Sequence, residues 1–307
     1  MAQTQITSIG IGNMGAALAG ALLKGDNTTL TIWNRTADRP QVKDLISKGA
    51  VFEPSVATAI SRSSVVLICL FDYPTIYEAL ASIIDADGGA QGPFLADKTI
   101  INLTNGTPAQ ARELEAHLRR LGAAAYFDGA IMVPPQLVGT PSAFVILSGE
   151  TEARYAQLDI PGLLAPVAKN VQYIAEDAGA ASLFDCAALA AMYGMFTGAF
   201  TGFGLLQRQR GTRLTKPAVN SVMIPMLNAL VPYVGLLSEQ VDEARWMDSL
   251  GNPLAMQAAG VRNIVQSCEE EGVDGSALKW LVDRMERGVS EGYGEGGVAV
   301  LGKYVLK

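Results

Sequence analysis

At 307 residues the chain is long enough for two domains with cores of their own, and 49% hydrophobic against 17% charged residues excludes a disordered chain. A net charge of −7 speaks against a nucleic-acid surface, and three scattered cysteines (Cys69, Cys186, Cys268) with one histidine, His117, offer no zinc-ligand spacing. The chemistry therefore falls to carboxylates, hydroxyls, amides or a bound organic cofactor.

Met1-Ala2-Gln3-Thr4-Gln5 has neither a basic stretch nor a long apolar one, so no secretory signal is expected and a cytoplasmic location is assigned. Short apolar runs then alternate with helical patterns to about Ile174. The predicted strands are Ile6–Ile9, Leu30–Trp33, Val65–Leu70, Thr99–Leu103, Tyr126–Phe127, Phe144–Leu147 and Val171–Ile174. Such alternation predicts parallel strands with crossover helices, a doubly wound sheet over residues 1–175. One crossover helix is well punctuated: Thr107 caps it, Pro108 takes the first helical position, and Arg119 and Arg120 suit its last turn before Gly122.

Beyond Ala175 the strand signals vanish. Helical periodicity runs to Glu291, with breaks predicted near Gly211, Gly251–Pro253 and Gly272–Gly275 and a glycine-rich loop at Gly292–Gly297. Residues 176–307 thus read as an all-helical domain. Within it, Cys186 to Leu206 carries no charge over a membrane's width, with Gly194, Gly198 and Gly202 at four-residue spacing. A helix buried on all sides of a soluble protein has the same pattern, and Tyr193, Thr197 and Thr201 dilute the hydrophobicity. The soluble reading is preferred, and no membrane partner is expected.

Gly10-Ile11-Gly12-Asn13-Met14-Gly15 follows the first strand and opens a helix predicted over Met14–Lys24. Gly10 permits the tight turn, Gly12 lets a pyrophosphate approach the backbone, and Gly15 lets helix and strand pack closely. A glycine triplet alone is weak evidence; its position between strand and helix makes it a dinucleotide site in a Rossmann domain. After the second strand come Asn34-Arg35-Thr36, where an NAD enzyme usually carries an acidic residue for the ribose. The missing carboxylate, the cations Arg35 and Arg39 and the Thr36 hydroxyl favour a 2′-phosphate, hence NADPH. Leu70 and Phe71 are assigned to the cofactor's side, with simple core packing the other reading of Phe71.

Together with the turn Trp33-Asn34-Arg35-Thr36 and the run Ile101-Asn102-Leu103-Thr104-Asn105-Gly106-Thr107-Pro108, the glycine loop resembles that of the imine reductases. The similarity extends through Ala180–Asp185, Met192–Phe196 and Ala255–Val261, and is nearest to the fungal reductive aminases of the β-hydroxyacid dehydrogenase superfamily. The resemblance implies a Rossmann domain joined by a long helix (residues 176–208) to a helical bundle, in a homodimer whose chains exchange their helical domains. It also implies imine, carbonyl and amine substrates. By the same resemblance Asp185 is the proton donor or acceptor and iminium anchor, Tyr193 a hydrogen-bonding phenol, and Asn105 an amide orienting the substrate. Met256 and Gln257 would line the pocket from the partner, and Tyr233 stands where the reductive aminases carry a tryptophan.

The residues themselves allow blander roles. Asp185 is the only charged side chain from Ala178 to Gln207, which makes purposeless burial costly, yet an acid near a helix start also favours the macrodipole. Tyr193 lies eight residues on, roughly 80° round a helix of 3.6 residues per turn, so both side chains can border one cavity. Asn105 follows a strand's carboxyl end, where open parallel sheets bind ligands, but also precedes Gly106 as a turn residue would. The competing enzyme is a β-hydroxyacid dehydrogenase, which by the same resemblance needs a lysine near Asp185; none occurs between Lys169 and Lys216. A non-catalytic NADPH-binding dimer is the remaining alternative.

Overall fold

The mostly parallel sheet follows from central strands that are apolar on both sides. In the computed structural model, which describes residues 4–25, 28–84, 94–209 and 215–305, eight strands form one sheet. They are β1 (Thr4–Ile9), β2 (Thr28–Trp33), β3 (Val51–Phe52), β4 (Val65–Ile68), β5 (Thr99–Asn102), β6 (Ala125–Ile131), β7 (Phe144–Ser148) and β8 (Asn170–Tyr173), in the order β3-β2-β1-β4-β5-β6-β7-β8. Successive residues feed opposite cores: Leu67, Ile101 and Phe127 join one apolar cluster, while Val66, Ile68, Ile100 and Tyr126 join the other. Helices α1 (Asn13–Leu22) and α2 (Pro40–Ser47) cover the first face. The second is covered by α3 (Val56–Ser61), α4 (Tyr73–Ile84) and α5 (Pro108–Arg120).

Three details depart from expectation. The short β3 was not predicted, since two residues carry no periodicity. β6 extends well past its predicted end at Phe127, because Asp128 and Gly129 are also strand residues, with Asp128 fully buried. And β7 runs antiparallel to β6, so the sheet is mixed. The link from Ile131 to Phe144 holds only a 3-10 turn at Pro135–Leu137, and a parallel return needs a longer crossover, usually a helix. From β7 the chain passes through α6 (Glu152–Gln157) and α7 (Ile160–Leu164) and returns parallel as β8. The α5 cap forms as read: Thr107 Oγ1 accepts from Gln110 N and Gln110 Oε1 accepts from Thr107 N, with Pro108 next.

After β8 every described element is helical: α8 (Gly179–Gln207), α9 (Thr215–Ala218), α10 (Ile224–Asp242), α11 (Leu254–Glu271) and α12 (Ser276–Gly288). The breaks at Gly251–Pro253 and Gly272–Gly275 fall between α10, α11 and α12, whereas Gly211 lies outside the described residues. The stretch after α12 is a wide turn through Gly292 (φ +94°) and a closing 3-10 segment, Val298–Tyr304. The chain divides into two compact units, Met1–Leu189 and Ala190–Lys307, with the division inside α8. α8 and the run Thr215–Asp242 are both long and apolar enough to cross a membrane.

Candidate active site

The strand order changes direction at β1, whose neighbours are β2 and β4, and ligands of open α/β sheets bind at the carboxyl ends beside such a switch. A cavity of about 880 Å³ opens there. It is lined by the glycine loop, by Asn34, Arg35, Thr36 and Arg39 after β2, and by Cys69, Leu70 and Phe71 after β4. The three glycines differ in what they avoid. A side chain on Gly10 (φ +96°) would strike the Cys69 carbonyl, and one on Gly15 would strike the Gly10 carbonyl. Gly12 has nothing within 4 Å, so its bareness serves the cavity and not the protein's own packing. Gly12 caps α1 without a side-chain hydrogen bond, which leaves first-turn N–H groups for an anion.

Asn34 has a role that the sequence did not disclose. Its Oδ1 accepts from Ile11 N at 2.9 Å and its Nδ2 donates to the Thr36 carbonyl at 2.8 Å. It thereby ties the glycine loop to the turn carrying Arg35. The Arg35 guanidinium lies 3.4 Å from the Glu78 carboxylate, both largely exposed at the cavity rim. Phe71 is 90% exposed, which excludes the reading as core, whereas Leu70 is half-buried against the second apolar cluster. Cys69 also lines the cavity, but burial pushes its thiol up to about 12, so it carries no thiolate.

One adjacent strand further, β5 delivers Asn105. Its Nδ2 donates to Asp185 Oδ2 at 2.7 Å, joining residues eighty apart in sequence. Asp185 is 7% exposed, on the second turn of α8. Burial raises its carboxyl above the usual range, and the Asn105 hydrogen bond pulls it back part of the way. Gly106 is required by close approach, since a side chain there would meet the Tyr73 ring.

The other candidate residues lie on second-unit helices. Tyr193, on α8, is 61% exposed with its ring edge-on to Phe196 at 6.0 Å. Tyr233 is half-buried in α10, next to Pro232. Met256 is exposed on the first turn of α11, and the Gln257 amide beside it donates to the Asn252 carbonyl at 2.7 Å. Only Asn105 and Asp185 are joined directly to each other among the expected catalytic groups.

A dinucleotide-type glycine loop with a buried, amide-held carboxyl beside it narrows the search among known proteins. An NADPH-dependent reductive aminase of Aspergillus oryzae is 32% identical over 295 residues, covering 96% of this chain and 95% of that protein. The chain belongs to the reductive aminase family. Residues 177–306 match the NADPH-dependent reductive aminase-like C-terminal domain, and residues 5–130 match the NAD binding domain of 6-phosphogluconate dehydrogenase. A reductive aminase from Aspergillus terreus, solved in complex with NADPH4, cyclohexanone and allyl amine, superposes with a TM-score of 0.86 at 34% identity, over 99% of this chain and 100% of that one. An imine reductase from Myxococcus stipitatus in complex with NADP+ gives a TM-score of 0.84 at 25% identity, over 98% and 100%.

Asp128, Asn102, Tyr73 and Ser182, which make a buried cluster next to the site, were not singled out from the sequence. Their one signal is an acid inside an apolar run, Tyr126-Phe127-Asp128-Gly129-Ala130-Ile131.

Proposed function

We propose that this chain is an NADPH-dependent oxidoreductase that reduces imines and iminium ions, and that it joins carbonyl compounds to small amines by reductive amination. The observation that carries the reading is the Asp185 carboxyl, nearly buried and held by Asn105 at the sheet's carboxyl edge. NADPH, when bound, supplies the hydride. The open Gly12 backbone and the first-turn amides of α1 suit its pyrophosphate, and Arg35, Thr36 and Arg39 suit the 2′-phosphate.

Asp185 does the proton work. Because burial raises its carboxyl, the acid form persists to higher pH than on a free aspartate, and it gives a proton to the imine nitrogen. The carboxylate left behind then stabilises the iminium cation in a poorly hydrated site. With a carbonyl and an ammonium as inputs, the same carboxylate takes the amine's proton before attack, and condensation releases one water. Asn105 orients Asp185 and the substrate heteroatom, and Tyr193 contributes a phenol. Tyr233, Met256 and Gln257 are assigned to the substrate pocket.

The enzyme acts as a homodimer with exchanged helical domains, residues 1–175 serving the cofactor and 176–307 dimerisation and substrate. Support comes from the apolar side chains that the single chain leaves bare on its helices, such as Phe200 (69% exposed), Val222 and Val234. Free thiols at Cys69, Cys186 and Cys268 suit the cytoplasm.

NADPH consumption with a cyclic imine and with a ketone–amine pair, beside NADP+ reduction with a 3-hydroxy acid, tests the reading. Turnover of the two nitrogen substrates is expected. Turnover of the hydroxy acid alone would overturn it, and binding without turnover would indicate a regulator.

A further inference from the structure

The proton chemistry above leaves unused the one carboxyl that the described strands carry. Asp128, on β6, is fully buried and accepts four hydrogen bonds. Its Oδ1 takes Tyr73 Oη at 2.7 Å, Tyr126 Oη at 2.9 Å and Asn102 Nδ2 at 2.9 Å, and its Oδ2 takes Ser182 Oγ at 2.6 Å. Three neutral donors thus converge on one carboxyl oxygen and a fourth on the other. These donors come from the start of α4, from β6, from the end of β5 and from the first turn of α8.

Two of those donors stand next to the catalytic pair. Asn102 ends β5 three residues before Asn105, and Ser182 lies one helical turn before Asp185. Asn102 Oδ1 also accepts from Thr104 N at 3.2 Å, and Thr104 Oγ1 accepts from Leu70 N at 3.0 Å, so the network reaches the cavity's edge. Ser148 adds a second anchor for α8, accepting from Ala181 N and donating to the Ala178 carbonyl. The start of α8 is thus tied to the sheet at residues 178, 181 and 182, one turn short of Asp185.

We propose that Asp128 is a positioning residue for catalysis: through Asn102 on one side and Ser182 on the other, it sets the separation between the β5 loop and α8 at which Asn105 and Asp185 meet. The proposal rests on the assignment of Asp185 as the proton-handling group. Loosening either arm frees the helix turn to drift and weakens the 2.7 Å contact, without touching the glycine loop or the Arg35 turn.

The test uses Ser182→Ala, which removes only the helix arm, and Asp128→Asn, which replaces one acceptor oxygen of the hub with an amide donor, in the full-length enzyme. Ser182→Ala is expected to fold, to keep its KM for NADPH within about twofold, and to lose roughly tenfold in kcat for a cyclic imine, as small misplacements of reacting groups do. The kcat–pH limb belonging to Asp185 should move to higher pH, because the carboxyl loses the hydrogen bond that holds it down. A purely structural role would lower the amplitude and leave the limb in place, and that result overturns the proposal, as does wild-type kcat in Ser182→Ala. Asp128→Asn should shift the limb the same way; if it does not fold, Ser182→Ala decides alone. Asp185→Asn run in parallel separates the two claims. Surviving turnover there sinks the proton assignment itself, whereas lost turnover beside an unaffected Ser182→Ala sinks only the positioning role.

Discussion

Between Met1 and Leu189, a mixed sheet buries apolar side chains in clusters on both faces, and large residues such as Tyr73, Tyr126 and Phe127 are out of water completely. Between Ala190 and Lys307 the described helices bury a small cluster around Leu254, Ala258, Met285 and Val300, while Phe200, Val222 and Val234 stay more than 60% exposed. The first unit is closed by its own sequence. The second leaves much apolar helix uncovered, which is the surface that the proposed dimer would bury. The difference sorts the function as well: the cofactor cavity and the Asn105–Asp185 pair are complete within the first unit, whereas the candidate pocket residues wait on the second.

That contrast is broken most severely by removing the proposed proton group. Asp185→Ala should reduce imine turnover by about 10²–10⁴-fold, the usual share of a general acid, while NADPH affinity from fluorescence titration stays within about twofold. Parallel loss of both would mark a folding role. Next in size is Phe200→Asp, which places a charge on the bare helix face. Sedimentation should show monomers with a near-wild-type far-ultraviolet spectrum, and turnover should fall with the dimer; an intact dimer would refute the exchanged arrangement.

A smaller effect is expected at the cavity rim. Arg35→Ala should raise the KM for NADPH by roughly tenfold or more, given the strength of charge-assisted bonds to phosphate, with little change for NADH. Equal change for both cofactors would remove Arg35 from the phosphate site. Asn105→Ala sharpens the electrostatics: without the amide, burial acts unopposed on Asp185, so its limb in the pH–rate profile moves upward. A downward shift would contradict the hydrogen bond's assigned sign. The least effect belongs to Thr107→Ala, where losing the cap should cost about 1 kcal/mol and lower the Tm by about 2–4 °C with unchanged kinetics.

Much of this was legible beforehand. Glycines between strand and helix, Pro108 behind Thr107, and the helical periodicity after Ala175 are local signals, and each reports a local backbone requirement. Asn105 and Asp185 were legible as candidates through family resemblance and the oddness of one acid in a long apolar stretch. What no spacing disclosed was their contact, because a hydrogen bond across eighty residues depends on where β5 ends and α8 begins. Phe71 was ambiguous for a related reason: hydrophobicity says nothing about whether a side chain after a strand turns inward or lines a cavity.

Asp128 marks the boundary most clearly. The predicted strand stopped at Phe127, one residue short of it. The sequence by itself determined the cofactor loop, the layering of the first unit and the helical nature of the second, all set by near neighbours and periodicity. Only the tertiary structure decided that β7 turns antiparallel, that Asn34 braces the glycine loop, and that four donors from four elements converge on one buried carboxylate. A buried carboxyl is tolerated only when hydrogen-bonding groups offset its desolvation, and remote groups are brought together by the fold alone.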